Sequence, residues 1–115
     1  MSKQRKDAGF KVATALFETE KAIDGALAAA ATMVGIMPAA RQEARLAATI
    51  GQEAIDRAID TVTALGEARR AIIAAHDALA RVQAQVGLQE VNFGALVDKP
   101  PYPKFGLRVV ETRAA

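Results

Sequence analysis

His76 is the only histidine in the chain and stands beside Asp77, so any proton transfer or metal ligation would be sought there first. A general base needs a nucleophile or an orienting group within reach. Cysteine is absent and the only serine is Ser2, so neither type of nucleophile falls near His76 in the sequence. A packed or half-exposed imidazole is the expectation. A metal centre would need further carboxylates, and a single histidine with Glu20 falls short of a ligand set. No Gly-rich phosphate loop and no GxGxxG spacing occurs. No catalytic residue, metal ligand or cofactor-binding residue is therefore assigned, and the chain is not expected to be an enzyme.

Cations are the second candidate. Lys3, Arg5, Lys6 and Lys11 crowd the start of the chain, and Arg69 and Arg70 stand together further on. Against Asp7, the first eleven residues carry a net +3. Lys99, Lys104, Arg108 and Arg113 against Asp98 and Glu111 give the last eighteen residues +2, which leaves −3 for the middle of a chain whose overall charge is +2. Basic ends around an acidic middle favour staggered contacts between copies or contact with an anionic partner. Without interleaved aromatics or a recognition-helix motif, nucleic-acid binding is the lesser expectation.

These side chains must be positioned by helices. Hydrophobic residues make up 51% of the 115 and aromatics only 4%, so the apolar fraction is alanine and aliphatic residues, which suit close-packed helices better than a sheet. Phe10, Ala13, Leu16, Glu20, Ile23, Leu27, Ala30, Val34 and Met37 follow alternating three- and four-residue steps, the spacing of a coiled-coil seam. Glu20 is the one polar member, either paired across the seam or reaching water at its edge. Gly35 suits a helix end and Pro38 the first turn of the next helix, which predicts a tight αα-hairpin there.

From Pro38 a second apolar stripe runs through Ala44, Ala48, Ile55, Ile59, Val62, Leu65, Ile72, Leu79, Val82 and Val86. Its phase drifts by about 20° per heptad, as a left-handed supercoil requires, and survives passage through Gly66. One continuous helix is favoured over a three-helix bundle broken at Gly66. Such a helix would span roughly 70 Å against about 40 Å for the first. Its far half, with Ile72, Leu79, Val82 and Val86, would then lie beyond its partner and demand an intermolecular cover.

Gly87 closes the helix. Lys99-Pro100-Pro101-Tyr102-Pro103 must be extended, because each residue before a proline is pushed out of the helical region. The run 107–112 then has the character of a short β segment. Tyr102, Phe105, Val109 and Val110 are the expected anchors of this arm, on the chain's own helices or on a neighbour.

The expected fold class is thus all-α: an antiparallel, coiled-coil-like helical hairpin with one long C-terminal helix and an extended proline-containing arm. The divisions are a basic segment at 1–9, the hairpin at 10–86 and the arm at 87–115. The leading function is a non-enzymatic structural or scaffold subunit that self-associates through its helices and arm, a broad design shared with phage-type and other bacterial assembly proteins. The alternative is an accessory binder of nucleic acid or an anionic surface through the basic termini. No secretory core precedes Lys11, and the uncharged stretch 25–40 is shorter than a membrane span and contains Gly35 and Pro38. A cytoplasmic homo-oligomer without a membrane span is the expectation.

Overall fold

A computed structural model describes residues 2–94, and over these the chain is all-helical, with two helices in an extended hairpin and no strand. Helix α1 spans Lys3–Glu43 and α2 spans Gln52–Gln85. The arm anchors Tyr102, Phe105, Val109 and Val110, the proline run and the β segment lie outside the described residues.

The first helix starts at Lys3 rather than near Phe10. Ser2 is its N-cap, its hydroxyl oxygen accepting from the Arg5 amide at 3.1 Å, which satisfies one of the amides a helix start leaves unpaired. The helix then runs through Gly35, which was expected to end it, and Pro38, which was expected to begin the next one. Gly35 keeps helical geometry, and Pro38 lies inside the helix. Tertiary packing overrides the local signals here, because the three-and-four seam continues through Val34, Met37 and Arg41, all half-buried. An interior proline removes one backbone hydrogen bond and strains the preceding turn, at about 3 kcal/mol.

The reversal comes later, at residues 44–51, in a stretch with no proline. Arg45 takes a left-handed conformation (φ 55°), its amide bonding to the Gln42 carbonyl, while the Leu46 amide bonds to the Arg41 carbonyl. That pair of bonds is the Schellman ending, with arginine where glycine usually sits. The Arg41 guanidinium adds a bond to the Leu46 carbonyl at 2.8 Å. Gly51, at φ 83°, then launches α2.

Moving the turn from 35–38 to 44–51 changes what each helix faces. The second helix does not begin at Pro38, so it is not the longer of the two, and α1 reaches along its whole length. Gly66 lies well inside α2, so the break proposed there for a three-helix bundle does not occur. Ile72 and Leu79, expected beyond the reach of the first helix, pack against Ala13, Leu16, Leu88 and Phe93 of their own chain. On α2, Ala58 is buried while the neighbouring Ile59 is 47% exposed, so the seam takes the smaller of two adjacent apolar residues.

Gly87 does end α2 as expected, at φ 78°. Its amide bonds to the Ala84 carbonyl and the Leu88 amide to that of Gln83, a second Schellman ending. The chain then folds back over the open end of the hairpin, where Leu88 (3% exposed) and Phe93 (6%) complete the small core. No β pairing involves residues 90–94.

Candidate functional site

Two groups of side chains stand out, both toward the open end of the hairpin. In the first, Glu20 and His76 face each other across the seam, the Glu20 carboxylate 3.2 Å from His76 Nδ1. Both are partly buried, with side chains 29% and 19% exposed. The Phe17 ring meets the imidazole edge-on, with centroids 6.2 Å apart. One turn along, the Arg69 guanidinium pairs with Asp24 at 2.8 Å. Glu20 and His76 thus meet across the seam, and the pair offers no nucleophile and only two candidate metal ligands. Among the described residues no group of three His, Cys, Asp or Glu side chains is placed to hold a metal ion. The pair links α1 to α2 through this contact between partly buried groups.

The second group is the end closure. Gln83 is 5% exposed, and its amide nitrogen donates to the carbonyls of Leu88 (2.7 Å) and Val91 (2.8 Å). The side chain thus gives the Val91 carbonyl a donor and the Leu88 carbonyl a second one, beside the Val91 amide at 2.9 Å. From α1, the Arg5 guanidinium donates to the Val86 carbonyl at 3.3 Å, placing a cation at the negative end of α2. Phe93 packs edge-on against Phe10 with centroids 4.8 Å apart and lies directly over Gly9.

Between these parts runs an apolar groove of about 250 Å³, lined by Val12, Leu79, Val82, Val86, Leu88 and Phe93 among others, with Arg5 at its rim. Val82 and Val86, expected in an intermolecular seam, line this groove at 44% and 37% exposure, whereas Ile72 and Leu79 are half-buried against the intramolecular core, Leu79 at the base of the groove. The long-helix argument singled out all four alike. The structure separates them.

Sequence reasoning did not find Gln83, because its periodicity followed the apolar Val82 and Val86. The signal was present one heptad after His76, where a polar residue again takes the seam position. Nor did it find the Gly9–Phe93 contact. Gly9 occupies the seam position one heptad before Leu16, and a gap there needs a filler from elsewhere.

By length and composition α1 is also capable of crossing a membrane, with an 18-residue window of mean hydropathy 1.5 of which only 6% is buried. The expectation that Gly35 and Pro38 would interrupt this stretch does not hold, since the helix is continuous through both.

Comparison with protein-family models, curated proteins and solved structures returns no match.

Proposed function

We propose that the chain is a non-enzymatic assembly subunit, working through helix–helix self-association and its C-terminal arm. The observation that supports this reading is the apolar surface left open by a two-helix pairing. Val12, Met33, Ile36 and Val82 on one side of the hairpin, and Ile59 and Ile73 on the other, are each 44–58% exposed, while the buried hydrophobics among the described residues are Leu16, Leu88, Phe93 and three alanines. Burying one aliphatic side chain contributes roughly 1.5–3 kcal/mol, and soluble monomers rarely keep such side chains in contiguous patches. The Glu20–His76 pair fits the same reading as a register device inside the hairpin. The C-terminal arm, with Tyr102, Phe105, Val109 and Val110, is the second contact element of this reading.

The test is the mass of the full chain in solution, by light scattering or sedimentation, over a hundredfold range of concentration. Self-association that strengthens with concentration and persists at high salt is the expected result. A monomer at the highest concentration would overturn it. Association that collapses as salt rises would instead favour the basic ends as a phosphate-binding surface.

A further inference from the structure

The two broad faces of the hairpin differ. On the side that carries the groove, α1 presents every third and fourth residue from Val12 to Ala40, a set without a single charge, and α2 presents the matching series from Ala54 to Val82, whose only charge is Arg57. Arg57 is itself paired with Asp60 at 3.2 Å. That both series share one side follows from the grooves. The end groove joins Val12 of α1 to Val82 of α2, and a second open groove runs along Ala15, Thr19, Ala22 and Ala26 of the α1 series, with Glu18 at its edge and Leu65, the neighbour of Ala64 in the α2 series, on the other helix. The opposite side carries the Asp24–Arg69 pair, with Lys21, Asp56, Arg70 and Asp77 in the equivalent positions. It is a mixed, charged face.

We propose that the uncharged face is the surface through which two copies of this chain pair, face to face, into a four-helix assembly. The inference rests on the assembly reading above and specifies which surface performs it. Three observations favour a second copy as the occupant. First, charge is missing at every such position of α1 from Val12 to Ala40 and at all but Arg57 of α2 from Ala54 to Val82, so an uncharged strip follows the length of both helices, the shape that fits another helix rather than an irregular partner. Second, α2 is about 50 Å long, and two helices at an axis separation of 8–10 Å present a strip roughly 18 Å wide. Each copy would contribute about 900 Å², giving a total of about 1,800 Å², within the range of stable specific interfaces. Third, the series is mostly alanine, punctuated by Val12, Met33, Ile36 and Val82, three of them 44–46% exposed and Ile36 58%. Small side chains let helices approach closely. They supply little of the aromatic and long aliphatic surface with which helices lie on lipid, and the cations beside them, Arg5 and Arg57, are engaged with the Val86 carbonyl and with Asp60.

The experiment uses the full chain and two variants. Ala26→Glu/Ala71→Glu places two carboxylates on the uncharged face, at positions exposed in the single chain, so the hairpin itself is expected to keep its helical circular dichroism. Ile73→Glu, 45% exposed on the other face, is the control. The dissociation constant of the assembly should rise at least 100-fold in the double variant and by less than threefold in the control. If the wild type does not associate at any concentration, the assembly reading itself fails. If it associates but the control disrupts it as much as the double variant, or neither does, assembly stands and the assignment to this face is overturned. Flotation with neutral phosphatidylcholine vesicles completes the test: a monomeric wild type that binds them, and a double variant that does not, would give the face to lipid and overturn the pairing.

Discussion

The ring of Phe93 lies so close over Gly9 that a β-carbon added there would come within 2.6 Å of its Cζ. Alanine at a helical glycine ordinarily stabilises by about 1 kcal/mol. In this protein Gly9→Ala is expected to give no gain or a net loss, because the buried ring must move. In a Phe93→Ala background the same substitution should recover the ordinary gain of about 1 kcal/mol. Urea denaturation of the four variants checks this, and equal effects in both backgrounds would show that the ring does not pack there.

Arg45 holds a left-handed conformation that disfavours any residue with a β-carbon. Arg45→Gly should therefore stabilise the protein by about 1 kcal/mol, even after allowance for the extra freedom glycine gives the unfolded chain. A lower melting temperature would place the reversal of the chain elsewhere.

For Glu20 and His76 the expected result is an asymmetry. Each single change to leucine leaves a partly buried polar group without its partner and should cost about 1–2 kcal/mol. The double variant Glu20→Leu/His76→Leu should be at least as stable as either single one, since a polar pair is readily replaced by apolar packing. Additive losses in the cycle would mean that the two side chains act independently.

Pro38→Ala should raise stability by up to about 3 kcal/mol and increase helical circular dichroism, because Pro38 lies within α1 and its ring costs a hydrogen bond. A destabilised variant would show that the proline is needed where it is.

The helical class and most of the α1 seam were legible because the apolar period is long and regular: Ala13, Leu16, Ile23, Leu27, Ala30 and Val34 all turn inward. The position of the reversal was not. Glycine and proline at 35 and 38 advertise a turn, whereas the actual left-handed residue is Arg45, a type that carries no such signal. An error in the turn shifts every cross-helix pair, so Glu20 was read as a seam residue and weighed with His76 only as an incomplete ligand set, not as its hydrogen-bond partner across the hairpin. Gly87 was legible for the opposite reason, since there the left-handed residue is a glycine.

The antiparallel pairing also sets an order in time. Cross-helix contacts separate ever more distant residues away from the turn: 45 positions for Asp24 and Arg69, 56 for Glu20 and His76, 81 for Arg5 and Val86. Closing the longest of these loops costs only about 0.5 kcal/mol more than closing the shortest, so pairing can advance from the turn without a large barrier at any step. On that order the end that carries Gln83 and Phe93 is expected to form last. Side chains that act after the transition state slow unfolding and leave folding almost unchanged. Phe93→Ala should accordingly speed unfolding in stopped-flow experiments while refolding keeps its rate, and a slowed refolding limb would place the end closure in the nucleus instead. The strap over the open end is, in this sense, a latch on the lifetime of the hairpin rather than a guide to its formation.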